Sequence, residues 1–333
     1  MKRFLSLFLI VAMVLCLAAC GKQETVVGQE QTEREPMDVN VYVLSGPTGI
    51  GAMNLWAQSD AGETFDRYHF TMPGSNDEIV AAISGGTADI ACVATNLAAT
   101  LYNKTDAGVI CLAVNTLGVL RLLTNGDAME SVADLAGKTI YLPGQVANPE
   151  YILRYVLTGN GLDPDSDVTL CFVGEGSELM TVWQNAPDAV ILAPQPVATS
   201  ILMQYENAAE AFDMTEEWDK VSGGDSTLMM GCVVVRKDFC ARYPQTVKGF
   251  MEEYAASIAL AQTDVTGTAA LCEQYGLIPK AELAEKASPY CGLTYVDGDE
   301  MKQQLSGYLQ VMFDAAPKSV GGKLPGDDFY YAK

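Results

Sequence analysis

Short apolar runs alternate with longer amphipathic segments through most of the chain. Apolar runs bounded by turn residues predict strands at residues 39–44, 68–72, 88–95, 109–116, 167–173, 188–194 and 228–239, and another strand ends the segment 132–143. Helical spacing of apolar residues predicts helices at residues 50–60, 75–84, 97–103, 150–159, 177–184, 197–209, 243–263, 268–275, 280–287 and 299–313. Strands that alternate with helices in this way indicate an α/β fold.

The alternation occurs in two successive series, which predicts two sheets and therefore two lobes. We expect each lobe to be a mostly parallel sheet flanked by helices. The first lobe would comprise residues 37–120 and 226–333, and the second lobe residues 121–225. Ligands of open α/β sheets bind beyond the carboxyl ends of the strands, so the predicted ligand site is a cleft between the lobes.

The N-terminal residues have the pattern of a secretory signal peptide. A short basic start precedes an apolar stretch at residues 4–15 that is short for a membrane span. The sequence Leu-Ala-Ala-Cys that ends at Cys20 resembles the lipobox of bacterial lipoproteins. This resemblance implies a signal peptide at residues 1–19, lipidation of Cys20 and anchoring on the extracytoplasmic face of the cell membrane.

Residues 20–36 join the predicted anchor to the rest of the chain. The segment 21–36 is polar, rich in Gln and Glu, and nearly free of large apolar side chains. Such a segment cannot bury enough apolar surface to fold, so it predicts a flexible tether.

Charge and composition exclude several classes of function. The chain has 333 residues, of which 42 are acidic and 20 basic, and its formal net charge is -22. This charge repels phosphate backbones, which excludes nucleic-acid binding. The single histidine, His69, argues against a metal site and against His-based catalytic triads, and we expect no cofactor. The cysteines form no CxxC pair, and only Cys272 with Cys291 is worth testing as a disulfide.

Three segments carry a resemblance to a known family: DEIVAAISGGTADIACVATN (77–96), SVADLAGKTIYLPG (131–144) and DAVILAPQPVATSIL (188–202). They are similar to the solute-binding lipoproteins of bacterial ABC importers, in the branch that handles nitrate, sulfonates, taurine and thiamine pyrimidine precursors. The resemblance implies a two-lobed periplasmic-binding-protein-like fold and capture of a small polar solute by hinge closure. It also implies delivery to a membrane permease driven by an ATPase. We expect a monomer without enzymatic activity.

Polar and small residues follow the predicted strands of the first lobe where they reach the cleft. The loop at 45–49 lets backbone N–H groups approach a ligand, or it is a tight turn that contacts nothing. The end of the strand 88–95 offers a hydroxyl and an amide, which could instead cap the next helix. The predicted ligand contacts of this lobe are Ser45, Pro47, Thr48, Gly49, Thr95 and Asn96.

The second lobe has matching positions. Its loop at 145–148 precedes a helix begun by Pro149, so backbone N–H groups at a helix N-terminus could approach a ligand from this lobe as well. Pro-Gln-Pro at 194–196 could aim a side chain into the cleft or stiffen a turn. The predicted contacts of this lobe are Gln145, Val146, Ala147, Asn148, Glu175 and Gln195.

The predicted contact residues do not determine the charge of the ligand. Glu175 follows a strand, where it suits an amine or amidine ligand or is a solvated loop charge. Together with rim loops that hold no obvious Lys or Arg, it favours a neutral or cationic heteroaromatic such as a thiamine-type pyrimidine. Helix N-termini can hold a sulfonate without Arg, so an oxyanion is also consistent. Arg121 could pair with such an anion or form a structural ion pair.

Two other functions are consistent with this fold. One is an enzyme that acts on a small heterocycle, which should show paired titratable groups or a cofactor-tethering lysine in the cleft. The rim loops hold Ser, Thr, Asn, Gln and one Glu, so no catalytic residue is predicted. The other is a surface sensor that presents its ligand to a receptor.

Overall fold

A computed structural model of the chain describes residues 34–106, 108–126, 128–186 and 188–332. The predicted signal peptide, Cys20 and most of the predicted tether lie outside the described residues. Pro36–Lys333 forms one compact unit. None of the helices in the described part of the chain is long and apolar enough to cross a membrane.

The structure alternates strands and helices. The strands are β1 (Asp38–Val43), β2 (Arg67–Thr71), β3 (Ile90–Ala94), β4 (Val109–Leu117), β5 (Leu120–Thr124), β6 (Thr139–Pro143), β7 (Thr169–Val173), β8 (Val190–Pro194), β9 (Ala209–Asp213), β10 (Met229–Arg236) and β11 (Leu293–Asp297). The helices are α1 (Pro47–Ile50), α2 (Met53–Asp60), α3 (Asn76–Gly85), α4 (Thr95–Lys104), α5 (Asn148–Gly159), α6 (Glu178–Asn185), α7 (Val197–Gln204), α8 (Met214–Ser222), α9 (Lys237–Arg242), α10 (Pro244–Thr263), α11 (Val265–Gln274), α12 (Ala281–Ala287) and α13 (Gly298–Ala315). Short 3₁₀ turns occur at Val132–Leu135, Ser288–Tyr290, Pro317–Val320 and Asp327–Phe329.

The strands form two sheets, and the two-lobed α/β fold predicted from the sequence is confirmed. The first sheet has the order β11-β4-β10-β3-β1-β2, and the second has the order β7-β6-β8-β5-β9. Both sheets are mixed rather than mostly parallel. The βαβ units pair in parallel, β1 with β2 and β3, and β6 with β7 and β8. The strands next to the connections between the lobes pair antiparallel, namely β10 with β3 and β4, and β5 with β8 and β9.

The chain passes between the lobes twice, and the two connections touch at Gly118. The first connection joins β4 to β5, and the second runs from α8 to β10. A Cβ atom at Gly118 would lie 2.1 Å from Thr215 Oγ1 and 2.9 Å from Leu228 Cδ2. Only glycine therefore fits where the outgoing and returning segments cross.

Behind the cleft, aromatic side chains join the lobes. The ring of Trp218 on α8 lies 4.4 Å from the ring of Tyr155 on α5 and 5.4 Å from that of Tyr308 on α13. Trp218 and Tyr308 are fully buried. Because α13 follows the first-sheet strand β11, this contact extends one apolar core across both lobes.

Residues with well-known capping preferences mark both ends of α3. The side chain of Ser75 accepts a hydrogen bond from Glu78 N at the start of α3. Gly86 ends that helix in the left-handed conformation, with φ 78°. Cys272 and Cys291, the one cysteine pair worth testing as a disulfide, are both free thiols buried in the first lobe.

Other elements differ from the prediction. The helix expected at 197–209 ends at Gln204, and β9 begins at Ala209. The strand expected at 88–95 ends at Ala94, so Thr95 and Asn96 begin α4 instead of ending a strand. The strand β5 was not predicted, because Arg121 interrupts its apolar run. That guanidinium is nevertheless buried, and it pairs with Asp213 on the neighbouring strand at 2.8 Å.

Candidate functional site

A cavity of about 620 Å³ lies where the two lobes face each other. The first lobe lines it with the loop after β1, one side of α4, the ends of β4 and β10, and the chain at 318–322. The second lobe lines it with residues 146–149 at the start of α5. The first turns of α4 and α5 therefore both border the cavity. Their free backbone N–H groups and helix dipoles favour a negatively charged group there.

Seven residues of the sequence prediction line this cavity. They are Ser45, Pro47, Thr48, Asn96, Val146, Ala147 and Asn148. They come from both lobes, and the structure brings them together in one place. The remaining five predicted contacts do not line the cavity, and local contacts explain where they lie.

Two of these five lie in the first lobe. Thr95 is fully buried, and its Oγ1 donates a hydrogen bond to Met229 O at 2.6 Å, which ties α4 to β10. Gly49 is packed inside the lobe. A Cβ atom there would lie 2.6 Å from Leu277 Cδ1 and 2.7 Å from Leu44 O. Both positions contribute to packing beneath the cleft.

The other three lie in the second lobe. Gln195 is buried, and its Oε1 accepts hydrogen bonds from Thr199 N at 3.2 Å and Thr199 Oγ1 at 2.7 Å, so it caps α7. Glu175 is exposed, and its backbone N–H donates to Glu178 Oε1 at 3.2 Å. Gln145 is exposed and lies outside the lining. Since Glu175 is outside the lining, it gives no reason to expect a cationic ligand.

Asn148 is the most informative residue of the cavity. Its side chain is 3% exposed, and its Nδ2 donates to Met230 O of the opposite lobe at 3.5 Å. The carbonyl of Met230 fixes the orientation of the amide, because only the NH₂ group can donate to it. The Oδ1 atom has no hydrogen-bond partner among the described residues. A buried amide oxygen without a partner costs free energy, which a donor on a ligand would remove.

The loop that carries Asn148 is held by a buried carboxylate. Glu150 Oε2 accepts a hydrogen bond from Val146 N at 2.7 Å, and its Oε1 accepts one from Arg154 Nε at 2.8 Å. Val146 has φ 61°, a left-handed conformation that is unfavourable for a β-branched residue, and it is 62% exposed. The Glu150 carboxylate therefore keeps a strained residue at the mouth of the cavity.

The wall provided by the first lobe rests on a satisfied polar network. Asn115 Nδ2 donates to Thr48 O at 3.1 Å and to Tyr254 OH at 2.8 Å, and its Oδ1 accepts from Thr116 Oγ1 at 3.1 Å. Burial raises the pKa of the Tyr254 hydroxyl well above its ordinary value, so this group stays neutral. A Cβ atom at Gly231 would lie 2.8 Å from Thr48 Oγ1, so β10 must carry glycine beside this wall.

Sequence reasoning missed two lysines and several small residues of the lining. Lys104 ends α4, and Lys318 belongs to a turn near the C-terminus. No aspartate or glutamate occurs among the described residues that line the cavity. The C-terminal segment gave no signal, because only tertiary packing brings it to α4. The helical phase of α4, by contrast, could have pointed to Lys104.

Charged residues elsewhere are engaged in structural pairs. Arg121 contacts Asp213 at 2.8 Å and Glu210 at 3.3 Å, away from the cavity, which agrees with a structural ion pair. His69 Nε2 lies 2.8 Å from Asp38 Oδ1 on the exposed edge of the first sheet. In the described residues no group of three or more His, Cys, Asp or Glu is arranged to hold a metal ion.

Two lobes built on mixed sheets, with a cavity between them, define a periplasmic-binding-protein-like fold. The chain belongs to the family described as NMT1/THI5 like, which matches residues 69–264, more than half of the sequence. No curated protein matches the chain in sequence.

Solved structures with this fold include proteins of ABC transport systems. An ABC transporter from Parabacteroides distasonis is 21% identical, with a TM-score of 0.74 over 89% of this chain and 99% of that one. The alkanesulfonate-binding protein SsuA from Xanthomonas axonopodis pv. citri, bound to MOPS, is 14% identical, with a TM-score of 0.64 over 89% and 97%. The periplasmic nitrate-binding protein NrtA from Synechocystis PCC 6803 is 12% identical, with a TM-score of 0.56 over 80% and 75%. At these identities the likeness concerns the fold.

Proposed function

We propose that this chain is the solute-binding protein of an ABC import system and that it binds a small organic anion between its lobes. The family, the fold and the neighbours' transport systems support this class. The observation that carries the proposal is Asn148, a buried residue whose amide oxygen lacks a partner among the described residues. It begins α5 and lines the cavity together with the first turn of α4. Closure of the lobes would bury the solute and give about micromolar affinity, roughly −8 kcal/mol.

The same amide narrows the chemistry of the solute. The helix N-termini favour an anionic group, and Asn148 Oδ1 needs an N–H or O–H donor. Aminosulfonates and hydroxysulfonates carry both groups. Nitrate and unsubstituted alkanesulfonates carry no donor. We therefore favour a solute such as taurine over nitrate, and an oxyanion over a cationic heteroaromatic.

Calorimetric titration of the full chain with four solutes that each carry an anionic group tests this proposal. The probes are taurine, 2-hydroxyethanesulfonate, ethanesulfonate and nitrate. We expect the two probes with a donor to bind about tenfold tighter than ethanesulfonate, because one buried hydrogen bond contributes about 1 kcal/mol or more. Nitrate should bind weakest.

Two variants test whether Asn148 causes the difference in affinity between taurine and ethanesulfonate. In Asn148→Ala the affinities for taurine and ethanesulfonate should converge, since the acceptor is gone. Gln145→Ala is the matched control, because this residue lies in the same loop but outside the lining, and it should preserve the difference. If none of the four probes binds, the proposed function is wrong. Equal binding of taurine and ethanesulfonate would contradict only the role of Asn148 as the acceptor of a hydrogen bond from the solute.

We further propose that the chain is exported as a lipoprotein, lipidated at Cys20, and passes its solute to a permease and ATPase. The N-terminal sequence and the transport systems of the structural neighbours support this. Mass spectrometry of the membrane-bound chain should find a lipid on Cys20, and Cys20→Ser should release the protein from the membrane. A soluble wild-type chain that retains residues 1–19 would contradict it.

A further inference from the structure

The cavity extends along one side of α4 from its first turn to its last. Asn96, Leu97, Thr100 and Lys104 all line it, and their spacing places them within one face of the helix. Eight residues at 1.5 Å each separate Asn96 from Lys104 by about 12 Å along the helix axis. The site is therefore elongated, with the unpartnered Asn148 amide at the end where α4 begins.

The other end is built by the C-terminal segment of the chain. Asn103 Nδ2 donates to Val320 O at 2.8 Å and to Lys323 O at 2.7 Å, and Ser319 Oγ donates to Met312 O at 2.9 Å. Gly321 has φ 82°, and a Cβ atom there would lie 3.0 Å from Thr100 Cα. These contacts hold the segment against the second half of α4, so Lys318 and Lys104 belong to the same end of the cavity.

Lys104 and Lys318 are exposed lysines without a carboxylate partner among the described residues; Lys280 and Lys323 share this property but lie outside the cavity. Five exposed or partly exposed lysines form ion pairs: Lys220, Lys237, Lys248, Lys286 and Lys302. In the described residues, no ion pair involves Lys104 or Lys318, and no carboxylate lines the cavity that they share. On a chain with a net charge of -22, an elongated cavity with two unneutralised cations is a specific feature.

Given the proposed function, we infer that Lys104 and Lys318 form a second anion subsite. The preferred solute is an elongated dianion: one anionic group lies at the start of α4 and α5, and the other lies about 12 Å away between the lysines. Taurine and the other short probes of the proposed function would occupy only the first of these two positions. The chemical class is an unbranched organic dianion, with sulfonate, carboxylate or phosphate at its far end. A monoanion of the same length would fill the cavity but leave both lysines without a counter-charge.

Three alkanesulfonates test this inference with the full chain: hexane-1-sulfonate, hexane-1,6-disulfonate and ethane-1,2-disulfonate. None carries a donor for Asn148, so the comparison isolates the second charge and its position. We expect the six-carbon dianion to bind at least fivefold tighter than the six-carbon monoanion, about the effect of one partly exposed ion pair. The short dianion should show no such gain, because it cannot reach both ends.

Charge-neutralising variants assign the gain to these lysines. Lys104→Gln and Lys318→Gln should each remove most of the preference for the long dianion and leave binding of the monoanion within about twofold. Lys323→Gln is the matched control, because it removes the same charge from the same segment at a residue outside the lining. It should keep the preference.

The outcomes separate this inference from the proposed function. Equal affinity for the six-carbon monoanion and dianion overturns the second subsite and leaves the anionic solute standing. A loss of preference in Lys323→Gln equal to that in Lys318→Gln also overturns it, since a diffuse field would then explain the selectivity. Binding of taurine without binding of any of the three probes overturns it as well. If taurine and these probes all fail, the proposed function fails too.

Discussion

Replacement of Asn148 by alanine should preserve or raise the stability of the ligand-free chain, which is unusual for a residue that is 3% exposed. The substitution removes a buried amide oxygen without a partner, which relieves about 1–3 kcal/mol. It also removes the Nδ2 bond to Met230 O, which at 3.5 Å contributes at most about 0.5 kcal/mol. Lost packing costs about 1 kcal/mol. These terms sum to a change between a loss of about 0.5 kcal/mol and a gain of about 1.5 kcal/mol, so the free energy of unfolding should stay nearly constant or rise.

Asn115→Ala provides the matched comparison. Asn115 is also an asparagine, is 2% exposed and contacts two residues of the cavity lining, Thr48 and Thr116, but each of its amide atoms has a partner. Its replacement should lower the free energy of unfolding by about 2–4 kcal/mol, because it leaves Thr48 O and the Tyr254 hydroxyl with one bond fewer.

Urea unfolding of the two variants and the wild-type chain, followed by tryptophan fluorescence, measures both effects. With equal m-values, a shift of the midpoint reports the change in stability. If Asn148→Ala lowers the midpoint as much as Asn115→Ala does, its amide oxygen is already satisfied in the folded chain. That result would refute the prediction that this oxygen is free to accept a hydrogen bond from a ligand.

Three further results are expected. Gly118→Ala should lower the free energy of unfolding by about 1–3 kcal/mol, because the new Cβ would lie 2.1 Å from Thr215 Oγ1. Adding Thr215→Ala should recover part of that loss. If the stability losses of the two single variants simply add in the double variant, this contact is not the cause. Val146→Gly should stabilise the chain by up to about 1 kcal/mol, because it relieves the left-handed strain at φ 61°, and a clear loss in thermal unfolding would argue against strain there. Labelling of the native chain with a thiol reagent at about pH 8, mapped by mass spectrometry, should modify half-buried Cys171 first among the described cysteines. Burial raises the pKa of the Cys92 thiol to about 12, so little of it is present as the reactive thiolate. Rapid labelling of Cys92 would contradict this expectation.

The parts of the site that the sequence predicted are those that depend on local chemistry. A proline at the start of α5 and a small, polar loop before α1 are visible within a few residues, and both border the cavity. The position of Asn148 at the border of the cavity could be predicted for this reason. The lack of a partner for its Oδ1 atom could not be predicted, because the orientation of the amide depends on the carbonyl of Met230 in the other lobe.

The residues assigned differently depend on contacts between distant parts of the chain. Thr95 turns its hydroxyl to Met229 O, 134 residues later, and so contributes to the core instead of the cavity. Gln195 accepts hydrogen bonds from the first turn of α7, the helix that follows it. The sequence Pro-Gln-Pro did not indicate this capping role. Lys318 reaches the cavity only because Asn103 and Gly321 seat the C-terminal segment on α4. No local pattern encodes such a contact.

The strand order of the first sheet has a consequence for folding that proceeds from the N-terminus. Its β10 lies between β4 and β3, yet it follows every strand of the second sheet along the chain. A chain of which only the residues up to Gly223 have emerged, from a ribosome or across a membrane, can complete the second lobe, while β3 and β4 still present unpaired edges to other chains. The second lobe is therefore able to fold first, and the first lobe stays dependent on protection from aggregation until residues 229–236 have emerged.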